Sequence, residues 1–202
     1  MEEYNKKIST LLKNHEKLFD GVKNSKENSI YLGGTFKMQE QKIDDEKLIV
    51  ISESLKTNSS LKEIHLNNNQ IGSEGIKYLS EALKINSSLK EIDLESNIVG
   101  DEGTKYLSES LKLNSSLNGI ILNNNNIGEK GANCILDSLS FNYSLTKIKL
   151  DQNKKINENL KKKIYSIVKE NQKNPERAKK RVEENLKKSK IVKLSSIILV
   201  KK

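Results

Sequence analysis

Residues 61–88 read LKEIHLNNNQIGSEGIKYLSEALKINSS, residues 89–116 read LKEIDLESNIVGDEGTKYLSESLKLNSS, and residues 117–144 read LNGIILNNNNIGEKGANCILDSLSFNYS. The period is 28 residues, and every copy opens on Leu-x-x-Ile-x-Leu-x-x-Asn. A fixed period of this length marks stacked supersecondary units, none of which can bury its own apolar face without a neighbour. The motif restarts at residues 145–153 (LTKIKLDQN) and then runs into a Lys-rich segment. One period upstream, residues 33–60 place Phe36, Met38, Ile43, Ile51 and Leu55 on the apolar positions. There Gly33 replaces the first Leu and Gln41 the Asn. Three intact copies flanked by two degraded ones therefore span 33–172.

Within a copy the apolar period changes from two to about 3.6, the mark of a strand followed by a helix. Ile64 and Leu66 alternate with Glu63, His65 and Asn67, which predicts a half-buried strand over 62–67. A turn over 68–72 follows, and Ser73 is expected as the helix N-cap, matched by Asp101 in the next copy. Ile76, Leu79, Ala82 and Leu83 form the apolar stripe of that helix. Asn86 is expected to end it in the left-handed conformation.

The pattern LxxLxLxxN-x-(I/L)-G-x-x-G on a 28-residue unit resembles the ribonuclease-inhibitor-type leucine-rich repeat. That type also supplies the repeat domains of Nod-like receptors and of Ran GTPase-activating protein. The resemblance implies an α/β solenoid, a short horseshoe with parallel strands on the concave face and helices on the convex face. It implies that Asn69, Asn97, Asn125 and Asn153 form a ladder of side-chain bonds to neighbouring turns, Asn153 contributing less because it lies near the degraded end. It also implies that the third, fifth and seventh motif positions line the concave face. Motif residues of this kind are scaffold, so they specify a fold and leave the function open.

Read in order, those positions are Thr35, Lys37, Gln39; Glu63, His65, Asn67; Glu91, Asp93, Glu95; Gly119, Ile121, Asn123; and Lys147, Lys149, Asp151. Strands lie about 4.8 Å apart, so equivalent residues form rows across the sheet. The expected surface has an acidic middle, a small apolar spot at Ile121 and a basic end. Glu63, His65, Glu91, Asp93, Glu95, Ile121, Asn123, Lys147 and Lys149 are the candidate binding residues. Three carboxylates on one strand face repel one another, and a partner with a basic surface would relieve that repulsion.

Chemistry has little to stand on. A carboxylate cluster can act as a glycosidase pair or a metal site, but an open concave sheet lacks the enclosed pocket that shifts such groups. There is no nucleophile elbow, no HExxH and no phosphate-binding glycine loop. Gly72, Gly75, Gly100, Gly103, Gly128 and Gly131 are assigned to turns and to close helix–strand packing. His15 and His65 have no Cys or His at ligand spacing, so no zinc site is expected. One cysteine, Cys134, excludes an internal disulfide framework and takes the slot held by Tyr78 and Tyr106 in the preceding copies. No enzyme activity, cofactor or metal is expected. The charged start MEEYNKK has no apolar run, so no signal peptide is expected, and the apolar run 197–200 is far too short to span a bilayer. These features predict an intracellular, cytoplasmic monomer.

Charge divides the chain. Residues 152–202 carry 17 Lys and Arg against 5 acids, while residues 1–151 carry 19 against 22. A helix over 157–171 is expected to cover the last repeat with Leu160, Ile164, Ile167 and Val168. Pro175 then opens a basic helical stretch with Ala178, Val182 and Leu186 at four-residue spacing. At the other end, Tyr4, Ile8, Leu11, Leu12, His15, Leu18 and Phe19 predict a capping helix over 2–22. The domain reading is a cap and connector over 1–32, a repeat domain over 33–172 and a basic tail over 173–202.

The functional expectation is a non-catalytic module that binds a protein partner through its concave strand surface. Two alternatives stay open. One is a small-GTPase regulator like Ran GTPase-activating protein, whose family carries more repeats and an acidic tail. The other is a tether to nucleic acid or anionic membrane through the tail, which has no aromatic residue after Tyr165 for base stacking.

Overall fold

The computed structural model describes residues 2–26, 29–32 and 42–200, with side chains from 6 to 189 within those ranges. Helices α1 (Glu2–Asn14) and α2 (Glu16–Lys23) lead into strand β1 (Ser29–Tyr31) and helix α3 (Asp45–Leu55). Four strand–helix units follow: β2 (Glu63–His65) with α4 (Ser73–Leu83), β3 (Glu91–Asp93) with α5 (Gly100–Leu111), β4 (Gly119–Ile121) with α6 (Glu129–Leu139), and β5 (Lys147–Lys149) with α7 (Glu158–Lys173). A further helix, α8, covers Pro175–Val200.

The strands form one parallel sheet in chain order. Parallel neighbours need a crossover, and the helix of each unit is that crossover, so all helices stack on the same side. The result is a leucine-rich repeat solenoid. Ile64, Ile92, Ile120 and Ile148 are register partners at the centre of successive strands and point inward. Leu61, Leu89, Leu117 and Leu145 repeat beside them in the same continuous core. Each such side chain contributes about 1.5–3 kcal/mol on full burial.

The first unit departs from the period. Ser29 and Glu63 stand 34 residues apart, against 28 between equivalent later positions. The sheet therefore begins ahead of residue 33. The expected first-strand positions Thr35, Lys37 and Gln39, with Phe36 and Met38, lie outside the described residues. The amphipathic segment before it is two helices, divided at His15 (φ −123°, ψ 34°). Leu11 packs on Ile49, Val50 and Tyr78, with Ile8, Leu12, Leu18 and Phe19 around it, and so covers the exposed flank of α3.

Two asparagine ladders tie the units together. In the first, Asn97 Oδ1 accepts from Ile71 N–H while Nδ2 donates to the carbonyls of Leu66 and Leu94. Asn69 and Asn125 repeat the arrangement. Asn153 is as deeply engaged as the others, accepting from Asn125 and Ile127 and donating to Leu122 and Leu150. The residues just before the ladder positions, Asn68, Ser96, Asn124 and Gln152, carry the positive φ that turns each strand out. The second ladder was not expected. Asn86 is not left-handed. Its Oδ1 accepts from Ser88 and Leu89 N–H and its Nδ2 donates to Leu55 and Asn58 carbonyls. Asn114 and Asn142 do the same one and two units on. Asn58 begins the series against Val22 and Lys23, which fastens the N-terminal cap.

The helix starts also differ from expectation. Gly72, not Ser73, is the N-cap of α4 and has no side chain to offer. The Asp45 carboxylate of the preceding unit accepts its N–H at 2.6 Å. Asp101 lies inside the first turn of α5 and performs this service for α6, accepting from Gly128 and Gly131. A Cβ on Gly75 or Gly131 would stand 2.7 Å from that carboxylate oxygen. These glycines thus serve packing between neighbouring helices, where helix–strand packing was expected.

The start of α8 is part of the fold. Ala178 and Val182 are buried. Arg181 bonds Glu170, Asn171 and the Leu139 carbonyl, and Asn185 donates to the Ser140 carbonyl. The helix thus satisfies carbonyls left open at the end of α6.

Asn114→Ala and Asn153→Ala are each expected to lower the unfolding free energy by about 1–3 kcal/mol, because each leaves buried backbone groups unpaired. Urea titration with matched m-values measures this, with exposed Lys77→Ala as the neutral control. Truncation after Asn174 is expected to shift the urea midpoint downward, since it uncovers the face that Ala178 and Val182 bury.

Candidate functional site

The strand rows set the geometry of the concave face. One row runs Ser29, Glu63, Glu91, Gly119, Lys147, and the next runs Tyr31, His65, Asp93, Ile121, Lys149. The second-to-fifth strand positions lie in the expected register. Their interactions were not legible in advance. Gly119 has no side chain, and its place in the row is filled by the Glu91 carboxylate, 3.1 Å from where a Cβ would stand. Lys147 reaches across that gap to Glu91 at 2.5 Å, skipping a strand. Glu95 Oε2 accepts from Asn123 Nδ2, and Asn123 Oδ1 accepts from Asp151 N–H. Asp93 Oδ1 accepts from Glu95 N–H.

The expected acidic middle is therefore already answered within the sheet. Each of Glu91, Asp93 and Glu95 has a donor on this chain, and Lys147 pairs the charge of Glu91, which offsets part of the repulsion between them. Ile121 is also not an apolar spot on the surface: it is 8% exposed, held between Asp93 and Lys149 in its row.

The N-terminal end of the face is more open. The Tyr31 ring stacks on His65 with centroids 4.1 Å apart and planes 4° from parallel. Tyr31 itself is 73% exposed. His65 Nε2 lies 3.7 Å from Glu63 Oε2 and Nδ1 lies 3.9 Å from Asp93 Oδ2, both beyond hydrogen-bond distance. Glu63 Oε2 accepts from the Ser29 hydroxyl. Tyr31 could not be found from the period, because the longer first unit moves it out of the 28-residue register.

At the other end a cleft of about 460 Å³ opens between β5 and α7. Tyr165 forms part of its wall, accepting from Leu150 N–H at 3.0 Å. Burial pushes the Tyr165 phenol up and Asp151 adds to this, which keeps the hydroxyl protonated. Burial likewise pushes the Cys134 thiol up, aided by Asp137, so this cysteine stays a poor nucleophile. Among the described residues no group of three His, Cys, Asp or Glu could hold a metal ion, and no helix is long and apolar enough to cross a membrane.

Comparison with known proteins agrees with this architecture. Residues 57–80 and 86–108 match the Leucine Rich repeat family model. Among solved structures the chain is similar to the Leiomodin-1 Actin-Binding Site 2, with a TM-score of 0.69 at 20% identity, covering 85% of this chain and 95% of that one. It is also similar to the tropomodulin C-terminal domain of Caenorhabditis elegans, with a TM-score of 0.61 at 14% identity, covering 89% of this chain and 98% of that one. No curated protein sequence matches significantly. At these identities the likeness is one of fold.

Replacing Glu91, Asp93 and Glu95 together with Ser is expected to preserve the circular dichroism spectrum. The stability loss should stay near the about 0–1 kcal/mol typical of exposed pairs, and it should shrink further in high salt.

Proposed function

We propose that this chain is a non-catalytic protein-binding module of the ribonuclease-inhibitor repeat type, and that its partner docks on the N-terminal half of the concave face. The observation that carries this reading is the Tyr31–His65 stack beside Glu63. Tyr31 leaves most of a large rigid ring in solvent, the kind of side chain that anchors protein interfaces. A Lys or Arg of the partner laid over that ring would gain a cation–π contact and come within reach of the Glu63 carboxylate. The centre of the binding surface moves accordingly from Glu91, Asp93 and Glu95, which are committed within the sheet, to Tyr31, Glu63 and His65. Asn123, Lys147 and Lys149 extend the surface towards its other end.

The leiomodin-1 structure is an actin-binding site, which makes purified actin the first partner to assay. A regulator of a small GTPase is the alternative that the repeat type suggests, and acceleration of GTP hydrolysis separates it. The experiment for the surface is proximity labelling with the intact chain, its Tyr31→Ala/Glu63→Ala variant and a convex-face Lys77→Ala control. Partners retained by the control and depleted at least tenfold by the variant support the reading. An unchanged partner set in the double variant moves the site off this face.

A further inference from the structure

The open edge of the sheet has the features of a strand-acceptor site. In every inner unit, the outward backbone groups of one strand are taken by the next. Leu66 N–H donates to the Asp93 carbonyl, Leu94 N–H to Ile121 and Leu122 N–H to Lys149, at 2.8–2.9 Å. The Lys62, Lys90 and Asn118 carbonyls accept in the same repeating way. In β5 the equivalent groups are the Thr146 carbonyl, both groups of Ile148 and Leu150 N–H. Lys147 N–H and the Lys149 carbonyl are spent on β4, and backbone groups alternate sides along a strand, so Ile148 turns both of its groups outward. No sixth strand stands beside them among the described residues. One position has been answered by a substitute: the Tyr165 hydroxyl takes the Leu150 N–H where a carbonyl of the next strand would sit.

The edge is also a groove. It is bounded by β5 on one side and α7 on the other, and Ile148, Tyr165, Val168 and Lys169 line it together with Lys147 and Lys149. Lys149 and Lys169 are exposed and have no ion-pair partner among the described residues.

We propose that this groove captures an extended segment of a partner protein as a sixth strand, and that the segment reads acidic–apolar–acidic. Main-chain bonds to Ile148 and Thr146 supply the register, as in other cases of strand addition. Side chains of an added strand alternate between faces. The first and third residues continue the rows that end in Lys147 and Lys149, where carboxylates meet the free ammonium of Lys149 and the nearby Lys169. The middle residue turns inward over Ile148 and Val168. The β1 edge of a second copy fits less well, since Ser-Ile-Tyr brings no carboxylate to the lysines. This site does not depend on Tyr31 or Glu63, and it goes beyond the concave-face reading.

The test is fluorescence anisotropy of the intact protein with a short labelled peptide centred on Asp-Val-Glu. Binding is expected to weaken at least tenfold when the peptide is N-methylated at its Glu amide, the donor to the Ile148 carbonyl, and in the Lys149→Glu/Lys169→Glu variant. The variant should instead prefer a Lys-Val-Lys peptide, while Tyr31→Ala should bind like wild type. Hydrogen exchange should show new protection at the Ile148 amide. Equal binding by the N-methylated or a scrambled peptide would reduce the effect to charge attraction and overturn the proposal. Absence of binding by the unmodified peptide would overturn it too, as would Ile148 protection arising from self-association at rising protein concentration.

Discussion

Every turn of this solenoid drives backbone amides and carbonyls into a tightly packed apolar interior, and the structure rests on how those groups are satisfied. Leaving one unpaired costs about 1–3 kcal/mol, and a unit of 28 residues cannot spare many such losses. The answer is the same at both rims of the sheet. An asparagine offers one oxygen and one amide to two different units at once, so a single side chain closes bonds on both sides of a junction. Asn97 does so where the strand leaves the sheet, and Asn114 does so where the helix gives way to the next strand. Burial of the repeated Leu and Ile supplies the driving force, while the two ladders set the spacing at which that burial happens.

Much of the solenoid was legible because its signals are periodic. The strand–helix alternation, the inward Ile and Leu, and the Asn69 register all recur at one interval, and each copy vouches for the next. What could not be read were features that break or cross the interval. The first strand at Ser29–Tyr31 sits outside the 28-residue register, so Tyr31 went unseen. Asp45 and Asp101 cap the helix of the following unit, and a reading confined to one copy assigns a cap to its own helix. The second ladder was visible as the recurring Asn-x-Ser of residues 86–88 and 114–116. Its role depends on carbonyls presented by the unit before, and these emerge only once the units are stacked.

The concave surface shows the same limit in electrostatic form. Alternation correctly placed Glu91, Asp93 and Glu95 on one face. Their net effect depended on a residue with no side chain at all: Gly119 lets Glu91 and Lys147 meet over a strand that lies between them. Charge counted strand by strand gives an acidic centre beside a basic end, whereas in space Lys147 is tied to Glu91 in the middle and the other end presents the exposed ring of Tyr31. The start of α8 makes a parallel point. Its lysines mark it as a tail by composition, yet Arg181 and Asn185 use it to close the end of α6.

The Glu91–Lys147 pair has a bearing on how the molecule comes apart. Ladder bonds join a unit to its immediate neighbour, so a stack held by them alone behaves as a one-dimensional chain that can fray unit by unit from either end. A bond between units that are not adjacent couples the middle of the stack to its C-terminal end, and the intervening unit cannot open freely while both partners hold. Being ionic and half exposed, the coupling weakens as the ionic strength rises. The sharpness of unfolding, distinct from its midpoint, thus becomes a property that the surrounding salt can tune.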